Sequence, residues 1–173
     1  MSAEPNRLRI VVGADDAGRL YKDTLTEDLH ASELVASVTD VGVNDEIRGS
    51  YSLIALVAAR LVADGKADRA LLVCHTGLGM AIAANKVQGI RAVTAHDSLS
   101  VRASVLSNNA QVLAFGQGVI GLGPARRLTA EWLTHRFDAD SSAAVKVRAI
   151  SVFEHQHQHQ PGPLAVLPSE GDS

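Results

Sequence analysis

The stretch from Cys74 to Lys86 holds the residues best suited to chemistry: a thiol, then His75 and Thr76, then a glycine-containing turn. A helix that begins at such a turn exposes unpaired backbone N–H groups, and glycines let a bound oxyanion approach them closely. Those N–H groups and the helix dipole would favour the thiolate of Cys74, which is a competent base. The stretch predicts an anion hole beside a base.

Each candidate also has an ordinary structural explanation. Cys74 could be a small buried hydrophobe, because the loop has neither the P-loop nor the full dinucleotide-binding spacing. Asp15 and Asp16 could polarise sugar hydroxyls or simply cap a helix. Tyr51 could hydrogen-bond a substrate or close a pocket. His96 follows a predicted strand, where a lone histidine has many structural uses.

These residues lie between alternating segments of strand and helix pattern. Strands are predicted at Leu8–Gly13, Val35–Val41, Leu71–Cys74, Ile90–Ala95 and Ala110–Phe115. Helices are predicted at Asp16–His30, Tyr51–Ala63, from about Leu78, through Val101 and at Ala125–His135. Such connections are right-handed crossovers, so we expect an α/β fold, a Rossmann-like three-layer sandwich with a five-stranded parallel sheet. Asp15-Asp16, Cys74–Gly79 and His96-Asp97 should then converge on one rim.

The 173 residues predict one domain at 8–154, with a flexible N-terminus at 1–7 and a disordered tail at 155–173. After Ala139 the sequence predicts a last amphipathic helix through Glu154. Ala144, Val147, Ile150 and Ser151 would lie along one side of this helix. The helix could pack against a neighbouring chain. The tail's alternating histidines lack Cys or carboxylate partners, so we expect no metal at His155, His157 and His159.

Composition excludes several classes of protein. The formal net charge of −3 gives no basic footprint for nucleic acid, and no apolar run reaches the roughly 20 residues of a membrane span. The N-terminus lacks the layout of a signal peptide, and Cys74 is the sole cysteine, which rules out an intrachain disulfide. We therefore expect a cytoplasmic protein.

Several motifs occur in the order found in one enzyme family. They are Gly13–Gly18, Cys74–Lys86, Gly89–Ala92, Ser107–Leu113 and Phe115-Gly116. Together they resemble the type B ribose-5-phosphate isomerases, a family that also includes galactose-6-phosphate isomerase subunits and D-erythrulose-4-phosphate isomerases. The resemblance implies a homodimer, or a larger assembly such as a tetramer, whose active sites are completed by the partner chain. It implies an enediolate mechanism with no cofactor and no metal.

The resemblance also implies roles for individual residues. Cys74 matches the catalytic base, and Thr76 matches the residue that assists proton transfer at the oxygen. The backbone of the turn matches the hole for the enediolate charge, at Gly77, Leu78, Gly79, Met80 and Ala81. The residues that match substrate contacts are Asp15, Tyr51 and Asn108.

Departures from the family pattern point to the substrate. Ser107 replaces the histidine that opens the furanose ring of ribose 5-phosphate, and Asp16 replaces a histidine as in the erythrulose-phosphate branch. Two phosphate-binding arginines correspond to Ser142 and Lys146. Lys146 is therefore the expected phosphate contact, with Arg148 as the alternative if the alignment shifts.

Further departures lie in the loop and beside it. His75 stands in place of a glycine, and we expect strain of about 1 kcal/mol or more if that position needs a positive φ. Gly118 stands where a partner-chain arginine is common, and Ser52-Leu53 replaces a proline and a polar residue. His75 could contact substrate as an acid, base or phosphate ligand, or it could point to solvent.

Three functions follow from these observations. The leading hypothesis is an isomerase for D-erythrulose 4-phosphate and D-erythrose 4-phosphate, because an aldotetrose 4-phosphate cannot close a furanose and needs no ring-opening histidine. The second is a ribose-5-phosphate isomerase. The third is a weakened relative that binds a sugar phosphate or joins a mixed oligomer, as the changes at His75 and Gly118 suggest.

Overall fold

A computed structural model describes residues 7–43 and 49–157. Five strands form one sheet in the order β2-β1-β3-β5-β4, and every neighbouring pair is parallel. The strands are β1 (Leu8–Ala14), β2 (Val35–Asp40), β3 (Arg69–Cys74), β4 (Ala92–Thr94) and β5 (Val112–Gly116). The helices are α1 (Arg19–Ala31), α2 (Tyr51–Ala63), α3 (Leu78–Ala84), α4 (Ser98–Leu106), α5 (Leu122–Thr134) and α6 (Ser142–His157).

Helices cover both faces of the sheet. Successive side chains of a strand point to opposite faces, so each strand contributes apolar residues to two separate cores. On β3, Leu71 and Val73 pack in one core with α1, α4 and α5. The alternate residues Leu72 and Cys74 pack in a second core with α2 and α3. The predicted Rossmann-like three-layer sandwich is confirmed, and Cys74 ends β3 on the side of α2 and α3.

Several predicted boundaries need correction. Helix α1 begins at Arg19 rather than Asp16, because Asp15 and the residues up to Gly18 form a turn with Gly18 as the N-cap. Gly18 must lack a side chain, since a Cβ there would lie 2.2 Å from the carbonyl oxygen of Val73. Strand β4 is shorter than Ile90–Ala95 and keeps only Ala92–Thr94.

Helix α6 runs to His157, three residues beyond the predicted end at Glu154. Contacts with the loop before β4 accompany this extension: Glu154 Oε2 accepts from Gly89 N at 2.9 Å, and His155 Nδ1 lies 3.0 Å from Gln88 Nε2. Ala144 and Val147, on the predicted side, are already buried within this single chain, whereas Ile150 is 51% exposed, because it lies toward the edge of that side.

The predicted terminal segments fall largely outside the described residues. This holds for 1–6 and for 158–173, including His159. Arg7 is described, and its Nη2 donates to the carbonyl oxygen of Val35 at 2.6 Å. No helix among the described residues is long and apolar enough to cross a membrane.

Candidate active site

Cys74 lies at the carboxyl end of the central strand β3, where its side chain is only 5% exposed. Its thiol is free, and the backbone N–H of Gly77 donates to Cys74 Sγ at 3.1 Å. The thiol is therefore held over the turn that follows it. An N–H donor aimed at sulfur stabilises negative charge there, which is the charge that a thiolate base carries.

The turn after Cys74 is built around one left-handed glycine. Gly77 has φ 80° and is the N-cap of α3, and its carbonyl accepts from Thr94 Oγ1 at 3.0 Å. A Cβ at Gly77 would lie 2.9 Å from Thr94 Cγ2 and 3.0 Å from the carbonyl carbon of Phe115, so glycine is required on two grounds. Strands β4 and β5 thus hold the start of α3 in place.

The remaining residues of the predicted anion hole follow in the first turn of α3. Thr76 Oγ1 accepts from the backbone N–H of Leu78 at 3.4 Å. Leu78 is exposed, whereas Met80 and Ala81 are buried, and Ala81 N already donates to Gly77 O at 3.2 Å. The side chains of Met80 and Ala81 therefore serve the core, and any role of these residues toward an anion is limited to backbone.

An open pocket of about 250 Å³ lies over the Cys74 thiol. Its described lining residues are Asp15, Tyr51, Cys74, His75, Thr76 and Gly79. The predicted convergence of the first and third strand ends is thus present. Asp16 is exposed outside this lining, so the structure separates it from its neighbour Asp15.

Asp15 holds the turn before α1, although Gly18 and not Asp15 is the N-cap, and it also faces the pocket. Its Oδ1 accepts from the backbone N–H of Gly18 at 3.1 Å, which fixes the turn before α1, and the same side chain lines the pocket. A carboxylate held in this way offers its remaining lone pairs to a ligand hydroxyl.

Tyr51 is the first residue of α2, whose N-cap Ser50 accepts from Leu53 N at 3.4 Å. Its ring lies against Gly79, since a Cβ at Gly79 would be 2.5 Å from Tyr51 Cε2. The aromatic wall of the pocket therefore depends on a glycine in α3.

His75 lines the pocket on the side of β5 and is exposed. The expected backbone strain is absent: Asn109 is the one described non-glycine residue with a positive φ. The conformation at position 75 is thus available to any residue, and its carbonyl accepts from Gly118 N at 2.9 Å.

Asn108 and Lys146 do not reach the Cys74 pocket within one chain. They line a second cleft of about 310 Å³, between the end of α4 and helix α6, together with Ser107 and Ser142. Arg148, the alternative phosphate contact, is exposed on α6 and is not among the described residues of this cleft. The predicted site is therefore divided into two parts in the single chain.

The turn that carries Asn108 is held by Arg91, a residue that the sequence analysis missed. Arg91 Nε donates to the carbonyls of Asn108 at 3.1 Å and Asn109 at 2.9 Å. These bonds stabilise the left-handed Asn109, which has φ 48°. Arg91 belongs to the Gly89–Ala92 motif, which carries part of the family resemblance. The motif therefore marks Arg91 as a residue of interest, but it does not show that Arg91 holds this turn.

Lys22 is a second missed residue. It is 2% exposed, and its Nζ contacts Asp40 Oδ2 at 2.5 Å and Val43 O at 3.4 Å. Burial lowers its pKa, but the hydrogen bonds that Lys22 donates to Asp40 and Asp23 outweigh that effect, together with the charges of both carboxylates, and leave the pKa raised. Lys22, Leu25 and Leu29 lie at i, i+3 and i+7 and therefore share the buried face of α1. This spacing indicates from the sequence alone that Lys22 is buried.

The predicted pair His96-Asp97 does not join the pocket. Both line a separate cavity with Glu131, Arg127 and other residues of α5. His96 Nε2 accepts from Gly116 N at 2.9 Å, so the ring is neutral and protonated at Nδ1. Burial lowers the pKa of His96, with the charge of Asp97 opposing the shift. Both residues are structural, since Asp97 caps α4 through Ser100 N at 2.7 Å.

The described residues contain no group of three His, Cys, Asp or Glu side chains placed to hold a metal ion. The chemistry that this part of the chain offers consists of a thiol, an imidazole, hydroxyls, a carboxylate and backbone N–H groups around one pocket. Such groups can move a proton between carbon atoms and stabilise an oxyanion.

Comparison with known proteins agrees with that chemistry. A family described as Ribose/Galactose Isomerase matches residues 10–150. A D-erythrulose-4-phosphate isomerase 2 of Mycolicibacterium smegmatis is 59% identical over 144 residues, which cover 83% of this chain and 95% of that protein. A D-erythrulose-4-phosphate isomerase of Pectobacterium atrosepticum is 42% identical over 137 residues, which cover 79% of this chain and 89% of that protein.

The fold is similar to that of solved structures from the same group. A type B ribose 5-phosphate isomerase of Leishmania infantum superposes with a TM-score of 0.82 at 30% identity, covering 87% of this chain and 99% of that one. The fold, the pocket around Cys74 and the extent of these matches lead to one conclusion. The chain belongs to the ribose/galactose isomerase family, the sugar-phosphate isomerases.

Proposed function

We propose that this protein is an aldose–ketose isomerase that interconverts D-erythrulose 4-phosphate and D-erythrose 4-phosphate. The observation that carries the proposal is the free thiol of Cys74 under an open pocket, with Gly77 N–H 3.1 Å from its sulfur. The names of the relatives from M. smegmatis and P. atrosepticum support the choice of substrate.

In the proposed reaction, Cys74 as thiolate removes a proton from C1 of the ketose. The electron pair of the broken C–H bond forms the C1=C2 double bond, and the C2 carbonyl oxygen becomes the enediolate oxygen. Backbone N–H groups of Leu78, Gly79 and Met80 stabilise this charge, because those of Gly77 and Ala81 already donate to Cys74 Sγ and to Gly77 O. Thr76 assists the transfer of the hydroxyl proton from O1 to O2, and Cys74 returns its proton to C2. The product is the aldose, with no net change in oxidation state.

The second cleft supports a composite active site. Asn108 and Lys146 lie apart from Cys74 in one chain, so we propose that they act in the pocket of a partner in a homodimer. Lys146 would bind the substrate phosphate, and Asn108 a hydroxyl. In a two-fold dimer each chain then gives one part of each site.

Exposed apolar helix faces support the same proposal. On α6, Val145 and Val152 are exposed on the side opposite to the buried Ala144 and Val147. Helices α2 and α3 expose Leu53, Val57, Leu78 and Ile82 next to the pocket residues Tyr51 and Gly79. A partner that covers these faces would bring its α6 toward the Cys74 pocket. We place the working enzyme in the cytoplasm, where a lone thiol stays reduced.

Ser107 supports the tetrose over a pentose. It lines the second cleft beside Asn108, and a serine there cannot serve as the acid or base that opens a furanose. Ribose 5-phosphate is mainly cyclic, whereas a tetrose with an esterified O4 has no furanose to open. Ribose-5-phosphate isomerase is therefore the alternative function, and we expect it to be the slower activity.

The first test is turnover of D-erythrulose 4-phosphate and of ribose 5-phosphate by the purified protein, followed by ¹H NMR in D₂O. We expect preference for the tetrose, and a loss of about 10³-fold in kcat for Cys74→Ala, which removes the base. Preference for ribose 5-phosphate would replace the proposed substrate. No turnover of either would favour a binding function.

The second test mixes two inactive variants. Cys74→Ser and Lys146→Met damage different parts of the proposed site, so exchange of subunits produces dimers with one intact site. About a quarter of the wild-type sites should be recovered after unfolding and refolding a 1:1 mixture. Each variant refolded alone is the control. No recovery would show that Cys74 and Lys146 of the same chain act together, and full activity of Lys146→Met refolded alone would show that Lys146 is not needed.

A further inference from the structure

The imidazole of His75 lies in the Cys74 pocket but takes no part in the proposed reaction. It follows the base directly, lines the same pocket and is exposed. Neither ring nitrogen hydrogen-bonds to another described residue. A neutral imidazole offers one donor and one acceptor, so both remain available to a ligand.

The ring lies directly over Gly118. A Cβ at position 118 would be 2.3 Å from His75 Cε1, 2.8 Å from Nδ1 and 2.9 Å from Nε2. Such distances are too short for carbon contacts, so this ring position and a side chain at 118 exclude each other. The backbones of the two residues are also joined, because Gly118 N donates to His75 O.

His75 lines the pocket next to Gly118, which lies two residues after β5. Asp15 follows β1 and Tyr51 begins α2, and the strand of Cys74 lies between β1 and β5. A substrate whose reacting carbons lie over Cys74 therefore extends toward one wall or the other. The imidazole occupies space on that side and presents polar atoms there. Its replacement by glycine should leave more room, which a longer sugar phosphate would use.

We propose that His75 is a specificity-determining residue, whose imidazole hydrogen-bonds an oxygen of the phosphorylated tetrose and whose position depends on the bare Gly118. The proposal rests on the proposed function, because it takes the tetrose phosphate as the ligand. His75 binds substrate without taking the carbon-bound proton, which Cys74 does. Its removal should therefore weaken binding more than it slows chemistry.

The test uses His75→Asn, His75→Gly, Gly118→Ala and the double variant His75→Gly/Gly118→Ala. For each we would measure kcat and KM with D-erythrulose 4-phosphate and with ribose 5-phosphate. Calorimetry would give the Kd of 4-phospho-D-erythronate, which has the aldose carbon chain but a carboxylate at C1 and does not isomerise. Cys74→Ser is the control that loses turnover and keeps binding.

We expect His75→Gly and Gly118→Ala each to raise KM and Kd about tenfold, with kcat changed less than about threefold. In the double variant, Gly118→Ala should add little to the effect of His75→Gly, because the clash partner is gone. His75→Gly should also move the kcat/KM ratio about tenfold toward ribose 5-phosphate. His75→Asn should lie between it and wild type.

Unchanged KM, Kd and substrate ratio in His75→Gly would overturn the proposal, as would full additivity of the two changes. These outcomes are separate from failure of the proposed function, which wild-type turnover reveals. If the wild type does not isomerise D-erythrulose 4-phosphate but binds the erythronate, the Kd values of the variants alone decide whether His75 binds the ligand. A wild type that binds no erythronate would overturn both proposals.

Discussion

The ring of Tyr51 lies so close to Gly79 that a Cβ on the glycine would be 2.5 Å from Cε2. The first residue of α2 thus packs on the first turn of α3, and one wall of the pocket is set by contact between two helices. Because aromatic rings do not compress, a methyl group at position 79 must move the tyrosine or the start of α3.

We therefore expect Gly79→Ala to raise KM for the sugar phosphate about tenfold or more, by displacing Tyr51 from the wall. Steady-state kinetics with D-erythrulose 4-phosphate would measure this. The matched control is Gly65→Ala, because a Cβ at Gly65 meets nothing within 4 Å, although its φ of 69° makes that variant slightly less stable. Equal kinetics for wild type and Gly79→Ala would show that the wall has no part in binding.

A charge on the exposed face of α6 should separate the proposed dimer. Val152 is 52% exposed, so Val152→Asp costs little in a single chain but buries a carboxylate if a partner covers this face. Sedimentation velocity should show a shift toward monomer, with loss of activity at the same protein concentration. Leu20→Asp, exposed on α1 at 63%, is the control and should leave the assembly unchanged. Persistence of the dimer in Val152→Asp would place the interface elsewhere.

His96 should make folding stability depend on pH. Its Nε2 accepts from Gly116 N, so the fold needs the neutral ring, and burial lowers its pKa below the ordinary 6.5. The unfolded chain therefore binds a proton first as pH falls. The stability contributed by His96 is complete above pH 6.5 and is lost as pH falls through the lowered pKa.

Urea unfolding of wild type and His96→Gln from pH 7.5 down to pH 5 would test this, since glutamine keeps an acceptor but does not titrate. The wild type should lose more stability than the variant over that range. Parallel curves would assign the acid sensitivity to other groups.

Arg69 should contribute strongly to stability although it lies far from the pocket. Its guanidinium donates to Trp132 O at 2.7 Å and His135 O at 2.5 Å, which caps the end of α5, and it lies 5.2 Å from the Trp132 ring centre. Burial, together with the positive charge of Arg136, lowers its pKa to about 10, so it is still charged at neutral pH.

Arg69→Met leaves two carbonyls without donors and should lower the free energy of unfolding by about 2–4 kcal/mol. Arg102→Met, at an exposed position of α4, should change it by less than about 0.5 kcal/mol. Urea unfolding at one fixed protein concentration would compare them. A small change in the free energy of unfolding for Arg69→Met would mean that removal of the buried positive charge stabilises the fold by about as much as loss of the two hydrogen bonds destabilises it.

The parts that could be predicted from sequence are those with local signals. The strand before Cys74 is a run of buried apolar residues, and Gly77 marks a turn with positive φ. Parallel order then brings Asp15 and Cys74 to one edge of the sheet, as the pocket shows. These features depend on neighbours in sequence and on one rule of topology.

The parts that could not be predicted depend on contacts between distant residues. The separation of Lys146 from Cys74 reflects where α6 lies, which no local pattern specifies. The bonds from Arg91 to the turn at Asn108 and Asn109 span 17 and 18 positions. The sequence correctly predicts that His96 follows the end of a strand. It does not predict that residues of α5 share its cavity, because those residues are distant in sequence.

The packing of His75 on Gly118 also constrains how this pocket can change over generations. A side chain at position 118 excludes the present position of the imidazole, so histidine at 75 adopts this position only in a chain that carries glycine at 118. Once histidine is in place, a side chain at 118 forces the ring to move and weakens binding. The effect of a change at either position therefore depends on the residue at the other, and a gene library that varies them singly would miss the combinations that vary together.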